Sequence, residues 1–145
     1  MADRSFSHAA LVAAPQEIVW RELQHAETWA AIGGVDQVVD PRHDGGGLLL
    51  GYRFTANVGG RRFEGHAETV DATAPFSMTV VIFTPDVEGR IAVSLIPEEL
   101  DTRMAVSLTA RPRSVFAGVF FPMIAAAIGA GLPEQIDAFA ARLSD

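Results

Sequence analysis

The sequence predicts an α+β domain in which one curved antiparallel sheet carries its helices on one side. Three observations predict it. From Gly34 to Ala110, turn signals recur about every dozen residues, and connections that short make hairpins. On both sides of that stretch the apolar spacing becomes helical. No linker, internal repeat or compositional break interrupts the 145 residues, so residues 1–145 form one domain.

Phe6–Ala13 reads as the first strand, and Pro15 then opens a helix, where its missing N–H has no partner to lose. Ile18, Val19, Trp20 and Leu23 give that helix an apolar flank. Ala26–Ile32 forms a second short helix around Trp29, and Gly33-Gly34 ends it. The turns at Pro41–Gly47, Gly59-Gly60, Asp71–Pro75, Asp86–Gly89 and Pro97–Asp101 then separate six strands. Those strands are Val35–Val39, Leu48–Val58, Arg62–Val70, Ser77–Thr84, Arg90–Ile96 and Thr102–Ala110. Alternation puts Leu48, Leu50, Tyr52, Phe54, Ala56 and Val58 on one face, with Arg53, Thr55 and Asn57 opposite. Ser77–Thr84 and Arg90–Ile96 are apolar in both phases, so periodicity leaves their inner face open. The pattern is helical again from Ser114, with Pro122 and Pro133 placed to kink or divide the helix over 114–143. Its stripe is Ile136, Phe139, Ala140 and Leu143.

Composition narrows the chemistry. Cysteine is absent, which excludes disulfides, thiolate metal sites and a cysteine nucleophile. All eleven basic residues are arginine, which excludes Schiff-base chemistry and a phosphate-loop lysine. The net charge is −7 and no basic stripe is visible, so a nucleic-acid partner is not expected. No G-x-S-x-G or H-E-x-x-H pattern occurs, and His8, His25, His43 and His66 are scattered, so no metal and no cofactor is expected. The first ten residues carry no export signal, and the expected location is cytoplasmic. Val115–Leu132 is uncharged over eighteen residues, the lower edge of a spanning length, but a buried helix accounts for it better.

The order of elements, together with several local strings, resembles the SRPBCC superfamily, also called the START or Bet v 1-like helix-grip fold. The strings are Val12-Ala-Ala-Pro-Gln-Glu-Ile-Val-Trp20, Trp29–Val35, Gly45–Gly47, Thr69–Pro75 and Thr102-Arg103-Met104, followed by the C-terminal helix. The resemblance covers essentially the whole chain and is nearest to short bacterial members grouped with polyketide cyclases/dehydratases and lipid-transfer proteins. It implies a seven-stranded antiparallel sheet gripping a long C-terminal helix around a cavity for apolar ligands. It does not imply one activity.

Six of the seven residues in Ala125–Gly131 are small, which on a gripped helix either draws the sheet closer or leaves a hollow. The expected lining of that hollow is Tyr52, Phe54, Phe63, Phe83, Met104, Phe116, Phe120, Met123, Ile124 and Ala127. Glu64, His66 and Glu68 share one face of a strand; facing inward, His66 between two carboxylates would suit proton transfer. Facing outward, the three are simply solvated. Trp20 and Trp29 read as core anchors, His43-Asp44 as turn residues, and Asp86, Glu88, Glu98, Glu99 and Asp101 as solvated hairpin ends. The expected function is binding or carriage of an apolar small molecule, a lipid or a polyketide-like aromatic. The alternatives are a cyclase/dehydratase-type enzyme using His66 with Glu64 or Glu68, and a module that docks a protein or a membrane through 115–132.

Overall fold

Strand order in the sheet is β1-β7-β6-β5-β4-β3-β2, with every neighbouring pair antiparallel. The computed structural model describes residues 4–33, 36–58, 60–85, 87–113 and 130–143. Its elements are β1 (Arg4–Val12), α1 (Gln16–Glu22), α2 (Ala26–Gly33), β2 (Gln37–His43), β3 (Leu49–Val58), β4 (Arg61–Thr73), β5 (Ser77–Phe83), β6 (Val87–Glu98) and β7 (Asp101–Pro112). A C-terminal helix, α3, occupies residues 130–143. The expected α+β, helix-grip arrangement of seven strands and a C-terminal helix is therefore present. Phe116, Phe120, Phe121, Met123, Ile124 and Ala127 lie outside the described residues, as does Pro122.

Pairing settles which faces look inward. On the concave face Met78, Val80 and Ile82 of β5 stand opposite Val93, Ile91 and Gly89 of β6. Those in turn stand opposite Val106, Leu108 and Ala110 of β7. Leu132, Ile136, Phe139 and Ala140 of α3 belong to the same buried cluster, and Leu143 packs against it, so the predicted helix stripe faces the sheet. His8 at the concave edge of β1 meets the Asp137 carboxylate of α3 at 2.8 Å.

One end of the sheet is closed by α1 and its junction with α2. Gln16 Nε2 donates to the Leu95 carbonyl, and the Leu49 N–H donates to Gln24 Oε1. Thr102 Oγ1 donates to the Ala14 carbonyl, and Trp29 Nε1 to the Leu23 carbonyl at 2.6 Å. Each of these bonds satisfies a group that burial would otherwise leave dry. Trp29 is fully buried, as expected of an anchor; Trp20 is only partly buried.

Several local expectations change. Turns shrink because strands run through their signals: β2 continues across Pro41, as an edge strand allows, and β6 begins at Val87 and so includes Gly89. Asp40 takes a left-handed φ of 53° at the irregularity between Val39 and Arg42. A second irregularity faces Leu50, so Leu49 and Tyr52 both turn inward while Leu50 is exposed, against strict alternation. Asp44 Oδ1 accepts from the Gly46 and Leu48 N–H groups, the expected turn role. Glu88 and Glu98 are not merely solvated: they pair with Arg111 and Arg103 across β6 and β7.

Candidate functional site

The concave face is not uniform. Near α1 it carries Leu49, Met78, Val93, Leu95 and Met104, all bulky and all at most 2% exposed. Towards the opposite end one cross-strand row reads Tyr52, Ala67, Ile82, Gly89 and Ala110, from β3 across to β7. Three of those five positions carry one carbon of side chain or none, so the floor is low between Tyr52 and the β1 edge, where Arg4 stands opposite Ala110. The sole β-branched residue in the row, Ile82, sits on the middle strand and still reaches solvent. Ala67, Gly89 and Ala110 are buried, and a Cβ placed on Gly89 would meet no described atom nearer than the Ile82 Cβ at 3.9 Å, so the backbone there would take a further carbon without a clash among the described residues. We call this row the trough.

Aromatic residues close the β3–β4 side. The Phe54 ring lies over Gly65, where an added Cβ would come within 2.7 Å of the ring and 2.2 Å of the Phe83 carbonyl oxygen. Glycine at 65 is therefore what lets the Phe54 ring approach β4 this closely. Phe54 meets Tyr52 edge-on, centroids 6.2 Å apart, and Phe63 is buried opposite Ala56. Tyr52 is 1% exposed, and its hydroxyl is the buried side-chain polar atom without a hydrogen-bond partner among the described residues. Burial pushes its phenol pKa well above the usual tyrosine range, so at neutral pH the group is an O–H donor.

The expected residues therefore divide. Tyr52, Phe54, Phe63 and Met104 are on the concave side, with Met104 in the packed end rather than the trough. Phe83 is not a lining residue: it stands opposite His66 on the convex face. The two rings stack at 5.1 Å, and the Arg113 guanidinium lies 5.6 Å from the Phe83 centroid. Glu64, His66 and Glu68 are likewise convex and exposed, because Phe63 and Ala67 take the inward phase of β4. This corrects the inward placement that proton transfer in the interior would need. The three border an open groove of about 670 Å³ that also carries Arg53 and Arg62, with both signs of charge intermixed. The described residues contain no group of three His, Asp or Glu side chains able to hold a metal ion. No described helix is long and apolar enough to cross a membrane.

Sequence reasoning missed Ala67, Ile82, Gly89 and Ala110. Small residues in a strand give no periodic signal, and Gly89 beside Asp86 reads as a turn. Tyr52 was legible as an inward residue from its alternation with Phe54 and Ala56, but the isolation of its hydroxyl is a property of the fold.

No family model matches the chain, and no curated protein matches it by sequence. Solved structures do match, over nearly its full length. A protein of Deinococcus radiodurans superposes with a TM-score of 0.70 at 12% identity, covering 97% of this chain and 98% of its own. A START superfamily protein of Mycobacterium smegmatis gives 0.62 at 14% identity, over 91% and 98%. An aromatase/cyclase of a Streptomyces species gives 0.62 at 18% identity, over 99% and 87%. At these identities the likeness is one of fold, and the fold is the START-like helix-grip that the local strings resemble.

Proposed function

We propose that this protein binds and carries an apolar small molecule, a lipid or a polyketide-like aromatic, between the sheet and the C-terminal helix. The observation that carries this reading is the trough, where Ala67, Gly89 and Ala110 leave the concave face low and Ile82 accessible on the middle strand. An interior of this kind, apolar and with one unspent donor among the described residues, suits retention of a hydrophobic guest better than turnover. The likeness in fold to a START superfamily protein and an aromatase/cyclase supports it.

The test is a titration with an environment-sensitive fluorescent lipid, together with native mass spectrometry of protein purified from its own host. A retained hydrophobic mass and saturable fluorescence enhancement are expected. Gly89→Ile projects a side chain into the trough and is expected to weaken the probe at least about tenfold with the fold intact by circular dichroism. An empty protein that enhances no probe would overturn the reading. So would a Gly89→Ile variant that binds as well as the parent.

A further inference from the structure

We infer that the preferred guest is a neutral molecule bearing a hydrogen-bond acceptor, such as a ketone, ester or quinone carbonyl, and that the Tyr52 hydroxyl donates to it. This rests on the reading of the trough as a binding site and adds the chemical class of what fills it.

The argument starts from polar groups already satisfied. Of the buried side-chain donors, Thr28 Oγ1 is bonded to the Glu22 carbonyl, Thr102 Oγ1 to the Ala14 carbonyl and Trp29 Nε1 to the Leu23 carbonyl. All three belong to the α1–α2 end or its seams with the sheet, and all three are spent. Tyr52 differs in place and in state, since it stands at the head of the trough with its hydroxyl unpaired. A buried hydroxyl without a partner keeps its desolvation penalty, which a phenylalanine there would avoid. A guest carbonyl seated over Ala67 and Ile82 removes that cost at the moment of binding.

Charge decides against an ionised guest. No arginine whose side chain is described is buried, and Arg4, which stands opposite Ala110 in the concave phase of β1, is exposed at the sheet edge. His8, at the concave edge, is already engaged by Asp137. A carboxylate seated over Ala67 and Ile82 would therefore be desolvated beside one phenol, with the cation of the same row, Arg4, three strands away at the exposed β1 edge. A neutral carbonyl has no such penalty and needs one donor only.

The experiment compares 6-propionyl-2-dimethylaminonaphthalene with its 6-propyl counterpart, which has the same ring and no carbonyl, on the parent and on Tyr52→Phe. The parent is expected to favour the ketone by about tenfold, and Tyr52→Phe to erase that preference while leaving the 6-propyl compound unchanged. The bound ketone's carbonyl stretch should shift to lower frequency in the parent and return in the variant. Methyl palmitate should displace the probe more tightly than palmitate. Equal binding of the two naphthalenes by the parent, or a preference for palmitate, would overturn the inference and leave the apolar site standing. Failure of both naphthalenes to bind the parent would overturn the site as well.

Discussion

The two ends of the concave face are built from the same strands and do opposite things. Near α1, bulky side chains interlock, and each buried polar group described has a partner: Trp29 with Leu23, Thr102 with Ala14, Gln24 with Leu49. In the trough, small residues hold the floor down and the Tyr52 hydroxyl is left over. One end has the features of a core and the other of a receptacle. Stability and the proposed binding are therefore expected to be separable, because they draw on different rows of the sheet.

The largest expected effect breaks the packed end. Trp29→Ala removes the largest fully buried side chain and leaves the Leu23 carbonyl without its indole donor. A loss of about 3–5 kcal/mol is expected in urea unfolding. If the comparison holds, any Trp29→Ala protein that remains folded binds the fluorescent lipid with the parent's affinity.

Gly65→Ala sharpens the boundary between the two regions. Its Cβ would stand 2.2 Å from the Phe83 carbonyl oxygen and 2.7 Å from the Phe54 ring, so either β4 shifts or Phe54 swings away. A destabilisation of about 1–3 kcal/mol is expected, with weaker probe binding because the aromatic wall beside Tyr52 is displaced. Loss of stability with unchanged binding would mean that Phe54 serves the core and not the trough.

How much of this was legible depended on whether a residue's neighbours in sequence or across the sheet decide its role. The turns lie in local sequence, and seven strands with a C-terminal helix follow from them. The inward phase of Tyr52, Phe54 and Ala56 follows from alternation with Arg53, Thr55 and Asn57. Leu50 escapes that logic because an irregular register opposite β2 inserts it as an extra residue. Phe83 and His66 escape it for another reason. β5 is apolar in both phases, and Val81 is buried although its partners Glu68 and Arg90 are on the convex face. Composition cannot choose a side there, and only pairing with β4 does. The trough is less legible still, since Ala67, Gly89 and Ala110 align only once three hairpins fix their registers.

The smallest effect isolates the unspent hydroxyl. Tyr52 is the sole tyrosine, so phenolate absorbance near 295 nm reports on it alone. Its pKa is raised in the folded protein by burial, and an unfolded tyrosine titrates near 10. The raised folded value means that the unfolded state loses its proton first. The contribution of the neutral phenol is therefore whole below pH 10 and declines above it, by at most about 1.4 kcal/mol per pH unit. Between pH 10 and 11 the parent should lose that increment relative to Tyr52→Phe, and the phenolate band should grow in step with loss of the far-ultraviolet circular dichroism. Phenolate growth at pH 10 in a protein that is still folded would place the hydroxyl in contact with water, and the contrast between a satisfied end and an unsatisfied one would go with it.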